Sequence, residues 1–238
     1  MPVLTCPIAS LSYLNHDTRK VLLDTDENVN FCAGQYLEVV SGERHYPFSI
    51  ASAPGKQIEL HVRPTPNSPD SDTFEALLDN SSELTIDWPK GKCFVDSAPD
   101  QPLLMLAAAT GITQMKSIVE HLLPQRLHHP TYLYWGVVSD KDLYLAALCE
   151  EWTQQDSNFH FVPVVSEPKN SPNWTGKVGL VGNAAIEDLS DISNLSVIVG
   201  GSPNMVYATL DLFVAQGLPE SSMASDVFDY APRTKKGT

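Results

Sequence analysis

Leu103-Leu-Met-Leu-Ala107 runs for five residues without a polar side chain, and no stretch constrains the fold more. A strand that is apolar without alternation is expected to be buried on both faces, as in a parallel sheet covered by helices. The small residues Ala108-Ala109-Thr110-Gly111 follow. Ile112, Met115, Val119, Leu122 and Leu123 then recur at helical spacing until Pro124 ends the pattern. A strand that turns through small residues into a helix leaves backbone N–H groups free at the helix start. Those groups and the helix dipole favour a phosphate. The same pattern serves an ordinary strand–helix unit whose small residues allow close packing. Neither G-x-G-x-x-G nor a Walker lysine is present, so both readings stand on this stretch alone.

The chain around it extends the pattern. Ser97-Ala-Pro-Asp-Gln-Pro102 reads as a linker. Beyond it, strands predicted at Leu103–Ala107, Tyr132–Val138, Phe159–Val165 and Ser196–Gly200 alternate with helices near 112–123, 142–154, 183–189 and 204–216. Such alternation predicts a parallel α/β sheet with right-handed crossovers. Ligands of these sheets sit at the carboxyl ends of the strands. Thr110-Gly111, Trp135-Gly136 and Gly200-Gly201-Ser202-Pro203 all fall there, which points to a nucleotide crevice.

Residues before the linker have another texture. Val21–Leu23, Tyr36–Val40, Phe48–Ile50, Ile58–Val62 and Leu84–Trp88 read as short strands separated by turns. Ile58, Leu60 and Val62 alternate with Glu59 and His61, the pattern of a half-buried strand. Pro64 to Ser71 reads as a loop, and Phe74, Leu77 and Leu78 as one short helix. Many short strands closely spaced predict an antiparallel sandwich or small barrel. The expected organisation is therefore two domains, residues 1–98 and 99–238.

With 42% hydrophobic and 18% charged residues over 238 positions, a packed core is expected. No run of 18 apolar residues spans a membrane, and Met1–Cys6 has no signal core. The net charge is −14, from 15 basic and 29 acidic residues, which argues against nucleic acid and anionic membrane as partners. Cys6, Cys32, Cys93 and Cys149 lie too far apart for metal or iron–sulfur spacing. No metal site is expected, and reduced thiols suit a cytoplasmic protein.

Ala33-Gly-Gln-Tyr36 followed by Tyr46-Pro-Phe-Ser49-Ile-Ala-Ser52-Ala-Pro54 resembles the flavin-binding half of the ferredoxin–NADP reductase superfamily. In that family an Arg-x-Tyr/Phe-Ser motif precedes a serine and a proline. Ala107–Ile112 resembles its pyrophosphate loop, and Tyr134-Trp135-Gly136 its adenosine-side strand end. Trp174-Thr-Gly-Lys-Val-Gly179 and Gly201-Ser-Pro-Asn-Met205 match later landmarks. The resemblance covers nearly the whole chain. Tyr-Trp-Gly and the ending Ser225–Arg233 bring it nearest to stand-alone bacterial NAD(P)H:flavin reductases of the luminous-bacteria type. It implies a flavin-binding antiparallel β-barrel followed by an α/β domain that binds nicotinamide nucleotide. The implied activity is hydride transfer from NADH or NADPH to a diffusible flavin: riboflavin, FMN or FAD. The reduced flavin would then serve an acceptor protein or ferric iron. A reductase component working with a separate iron–sulfur partner, or a non-catalytic binding module, are the alternatives.

The resemblance assigns roles residue by residue. Ser49 is the implied catalytic residue, its hydroxyl facing flavin N5; it reads otherwise as a serine capping a strand next to Pro47. Pro47 and Phe48 shape the wall against the ring, although Phe48 is equally readable as core. His61 and Val62 sit where the next strand lends backbone groups to the flavin; His61 reads otherwise as an exposed strand histidine. Tyr46 replaces the family's arginine, and a phenol cannot neutralise a phosphate with a bidentate fork. Arg44 or Arg63 could reach in, or could be solvated surface charges. The family's flavin-pyrophosphate segment is not evident in Asn67–Thr73. Both absences imply that the flavin is held at its ring end only. On the nicotinamide side the implied binding residues are Ala108, Ala109, Thr110, Gly111, Ile112, Trp135, Gly136, Gly201, Ser202 and Pro203. Ala108-Ala109 replace the usual glycines, and Gly200 stands where many relatives carry a cysteine. Val138 stands where many carry an arginine; with Asp140 and Asp142 nearby, NADH is expected over NADPH. Asp226 and Phe228 either close over the ring or belong to a plain terminal strand.

Overall fold

The computed structural model describes residues 3–25 and 29–233. The chain divides into two compact units, Met1–Asp96 with Lys116–His121, and Ser97–Met115 with Leu122–Thr238.

The first unit is built from β1 (Val3–Tyr13), β2 (Arg19–Asp24), β3 (Tyr36–Ser41), β4 (Arg44–Ser49), β5 (Gln57–Val62), α1 (Pro69–Asn80) and β6 (Glu83–Lys90). The strands lie in the order β4-β3-β6-β1-β2-β5, and their pairings are antiparallel. β1 turns the corner of the sheet. Val3–Pro7 pair with β6 and Ile8–Tyr13 with β2, with a bulge between Ile8 and Ser10. The edge strands meet just past β4, where the Ala51 N–H donates to the Glu59 carbonyl at 2.7 Å. That closes a small barrel around Val21, Leu23, Leu37, Val39, Ile58, Leu60 and Ile86, all fully buried. α1 lays Phe74 and Leu78 over this core. Its start corrects the expected loop, which ends at Ser68. Ser68 caps the helix by accepting from the Ser71 N–H, and Pro69 takes the first position, where its missing N–H does no harm.

β5 also departs from its expected half-burial. Glu59 is only 7% exposed and His61 4%, so both faces of the strand are covered. Neighbouring charges make this tolerable. The Glu59 carboxylate lies 3.3 Å from Lys116 Nζ, 3.2 Å from Lys20 Nζ and 2.7 Å from His61 Nε2. Alternation cannot reveal partners so distant in sequence. Burial pushes the Glu59 carboxyl up, but the His61 hydrogen bond and the two ammonium groups outweigh it and hold it down at about 2. Burial likewise depresses the His61 imidazole, which is neutral at pH 7.

In the second unit every strand is parallel: β7 (Leu103–Ala108), β8 (Thr131–Val137), β9 (Phe159–Val165), β10 (Lys177–Val178), β11 (Ser196–Gly200) and β12 (Met223–Ala224). The helices are α2 (Ile112–Leu122), whose residues Lys116–His121 belong to the first unit, α3 (Ala146–Gln155), α4 (Val181–Asp188), α5 (Pro203–Ala215) and α6 (Val227–Tyr230). The strand order is β10-β9-β8-β7-β11-β12. The chain thus winds outward from β7 in one direction and then resumes at β11 on its other side. In sheets of this order a ligand is expected at that switch point, beyond the carboxyl ends of β7 and β11. Two expectations are corrected here. The helix predicted from 142 starts at Ala146, because Ser139 and Asp142 cap each other's backbone and hold Asp140–Asp142 as a 3-10 turn. The residues after Ala224 are not a strand; Val227–Tyr230 form one helical turn. Among the described residues no helix is long and apolar enough to cross a membrane.

The barrel's stability should fall in acid. A carboxyl held below its ordinary 4.5 contributes fully above that value and loses its contribution as the pH falls toward 2. A histidine held below 6.5 contributes fully above that value and less beneath it. Urea unfolding across pH should therefore give a free energy that is level above about 6.5 and declines below it. Glu59→Gln should remove the lowest limb of that decline and, because Lys116 keeps Glu120 at 2.8 Å, cost only about 1–3 kcal/mol at neutral pH.

Candidate functional site

In the first unit the expected residues lie on β4 and β5. Alternation along β4 turns Tyr46 and Phe48 to one face and Pro47 and Ser49 to the other. Tyr46 and Phe48 join the core beneath α1, their ring centroids 4.9 and 4.7 Å from that of Phe74. Pro47 is exposed. Ser49 is the half-buried last residue of β4, opposite Tyr36. Among the described residues its hydroxyl makes no hydrogen bond. Val62 is buried on β5, and His61, which the sequence reading exposes to solvent, is buried against Glu59.

Past Ser49 the chain leaves the sheet, and its backbone polar groups need other partners. The Ile50 N–H donates to the Gln35 carbonyl at 3.1 Å. The Ala51 carbonyl accepts from Lys116 Nζ at 3.3 Å, and the Ser52 carbonyl from Ser117 Oγ at 2.7 Å. Ser52 Oγ donates to the Gln57 carbonyl and accepts from the Glu59 N–H. Ser49 thus ends a strand whose continuation is held on all sides. The sequence reading missed Glu59, Lys116 and Ser117. The helix that carries Lys116 and Ser117 also carries Thr113, Gln114, Glu120 and His121, so polarity along it does not mark them.

Neither arginine is disposed toward a phosphate. Arg44 donates to Thr73 Oγ1 at 3.0 Å and pairs with Asp70 at 3.3 Å; Arg63 Nε pairs with Asp17 at 2.8 Å. The first turn of α1 carries Asp70 and Asp72, so the N–H groups that could bind an anion already face acid.

In the second unit the expected residues gather at the strand ends. Ala109 adopts a left-handed backbone, φ 49°. The Trp135 indole N–H donates to its carbonyl at 2.8 Å and anchors the turn. Gly111 is required by packing, since a Cβ there would lie 2.3 Å from the Gly200 carbonyl oxygen. A Cβ on Gly136 would lie 2.5 Å from Val181, so this glycine admits the start of α4. Ile112 is buried beneath the turn, and among the described residues the half-buried Thr110 makes no side-chain hydrogen bond. Ser202 caps α5 by accepting from the Met205 N–H, with Pro203 in the first position and Gly201 just before. A cleft of about 250 Å³ opens among Ala108, Ala109, Gly136, Val138, Leu180 and Met205. It is apolar, and among the described residues no cationic side chain lines it. Gln114, another residue the sequence reading passed over, donates from Nε2 to Asp226 at 3.0 Å. Phe228 lies against Tyr207, ring centroids 5.6 Å apart.

Known proteins resemble this chain in sequence and fold. Residues 105–211 match the family model described as the oxidoreductase NAD-binding domain. The chain is 33% identical over 236 residues to the NAD(P)H-flavin reductase of Vibrio harveyi, covering 95% of this chain and 99% of that one. It is 33% identical over 224 residues to the NAD(P)H-flavin reductase of Aliivibrio fischeri, covering 91% and 93%. Among solved structures, an Amycolatopsis cytochrome P450 reductase superposes with a TM-score of 0.83 at 25% identity, over 94% of this chain and 70% of that one.

The backbone at the crevice makes two opposed predictions. Ala109→Gly should stabilise the protein by about 0.5–1 kcal/mol, because relief of a left-handed alanine outweighs the added chain entropy. Gly111→Ala should destabilise it by about 1–3 kcal/mol through the clash with Gly200. Chemical denaturation of both variants checks the signs.

Proposed function

The chain belongs to the family of NAD(P)H-flavin reductases, and from that premise we propose that it reduces a diffusible flavin at the expense of a nicotinamide nucleotide, gripping the flavin by its ring alone. The nicotinamide supplies a hydride and the isoalloxazine accepts it; the protein's part is binding, orientation and exclusion of water. Ser49 carries the reading. Its hydroxyl, uncommitted within the described residues, can donate to or accept from flavin N5 as that atom changes protonation. Pro47 lies on the same face of β4. His61 is neutral and tied to Glu59, so its part is to shape β5, whose backbone with Val62 borders the ring.

The phosphate end of a flavin finds little to hold it. Arg44 is paired with Asp70, the start of α1 is acidic, and Tyr46 points into the core beside Phe74. A flavin bound through the ring alone comes and goes as a substrate. Its reduced form is then free for an acceptor protein or for ferric iron. In the second unit, Ala108–Gly111 with Gly136 receive the dinucleotide while the buried Ile112 and Trp135 back the turn, and the N–H groups of Gly201 and Ser202 at the start of α5 serve its pyrophosphate. The apolar cleft beside them suits an adenosine whose 2′-hydroxyl carries no phosphate. The half-exposed Val138 and the lack of a cation in that lining favour NADH. No disulfide joins the four cysteines, in keeping with a cytoplasmic setting.

Purified protein should be nearly colourless, and NADH oxidation should proceed about as well with riboflavin as with FMN. Tightly bound FAD at one per chain would refute ring-only binding. Ser49→Ala should lower kcat on the order of 10²-fold, the usual loss of one hydrogen bond made in the transition state; an undiminished rate would remove Ser49 from the reaction. The KM for NADPH should exceed that for NADH several-fold, and the reverse order would overturn the preference.

A further inference from the structure

We propose that Lys116 is a positioning residue for flavin reduction: with Glu59 holding it and Ser117 beside it, it fixes the backbone that carries Ser49. This rests on the reading of Ser49 above and names the machinery that sets its place. Beyond β4 the carbonyls of Ala51 and Ser52 have left the sheet. Ala51 is fully buried, so water cannot serve it, and an unmet carbonyl there would be costly. Two consecutive residues of α2 meet two consecutive carbonyls, Lys116 the first and Ser117 the second. Ser117 Oγ also accepts from the Gly34 N–H at 3.3 Å, which ties in the turn before β3. An ammonium is the stronger clamp, because its hydrogen bond is charge-assisted.

A buried ammonium needs its own support. Lys116 is 5% exposed, and it has Glu59 at 3.3 Å and Glu120 at 2.8 Å. Glu59 in turn has Lys20 at 3.2 Å. The cluster of Glu59, Glu120, Lys116 and Lys20 is therefore balanced in charge, and His61, neutral, supplies a further hydrogen bond to Glu59. Such a cluster adds little net stability over an apolar packing of equal volume. What it provides that apolar packing lacks is a directed donor at one carbonyl, two residues from the Ser49 hydroxyl. Hydride transfer is steep in the placement of its partners, which is where such a donor acts.

The test compares Lys116→Met, Lys116→Arg and Ser117→Ala with the unaltered protein, using NADH and riboflavin, with thermal unfolding as the folding check. Lys116→Met should lower kcat by roughly ten-fold and raise the riboflavin KM several-fold, with the NADH KM within about two-fold. Lys116→Arg, which keeps a donor and a charge, should recover most of that loss. If Lys116→Met does not fold, Ser117→Ala carries the test and should shift the same two parameters by about three-fold. Unchanged kcat and riboflavin KM in the folded variants, or an arginine variant as impaired as the methionine one, would overturn the proposal. Failure of the unaltered protein to reduce riboflavin would instead refute the function itself, so the two failures are distinguishable.

Discussion

The first unit depends on how it buries the Lys116 ammonium. A barrel of six short strands closes only if the chain can leave β4, pass Ala51 and Ser52, and return as β5 without stranding backbone groups in the interior. The Ala51 N–H finds the Glu59 carbonyl and the Ala51 carbonyl finds Lys116, so a single strand residue, Glu59, serves both sides of the closure. Its backbone completes the barrel and its carboxylate neutralises the cation. That double duty explains why β5 carries a glutamate and a histidine on a face from which alternation would put them into water.

The second unit rests on sterics rather than charge. Parallel strands are held apart at fixed spacing, and the turn after β7 must cross the end of β11 at close range. Gly111 over Gly200 achieves this, two residues without Cβ facing each other. The neighbouring Ala109 then takes a left-handed conformation that an alanine adopts only under constraint, and the Trp135 indole supplies the constraint. Gly111 and Trp135 therefore have structural reasons to be what they are, independent of any nucleotide. That is why the opening stretch, taken alone, left the phosphate loop and the plain packing turn equally open.

What could be read beforehand follows the same division. Leu103–Ala107 and its sister strands were legible because continuous burial writes itself as a continuous apolar run. Two of those strand ends, at Ala108-Ala109 and Gly136, line the apolar cleft. β1 was not legible. Of its eleven residues only Cys6 is buried, because the strand wraps the outside of a barrel corner, and no period survives in Val3–Tyr13. Helix starts were misplaced where capping competes with periodicity, as at Ser68-Pro69 and at Ser139–Asp142. Ser49 could be marked by motif, but its support could not. Glu59, Lys116 and Ser117 come together only through the fold, and a buried lysine looks in sequence like any surface lysine.

The departures at the flavin side are best understood together rather than as separate losses. Tyr46, which the resemblance sets where the family carries an arginine, offers a phosphate no cation and fills the core instead, since its ring packs against Phe74 where a guanidinium would need a counter-charge. Once α1 is seated on Tyr46 and Phe48, its first turn no longer has to welcome an anion. Asp70 and Asp72 can then occupy it, stabilising the helix dipole and engaging Arg44. Each change makes the next one less costly, and all of them disfavour the same thing, a phosphate beside the barrel. The proposed ring-only recognition would then be a property of the whole first unit, anchored at α1 and not at any single missing arginine.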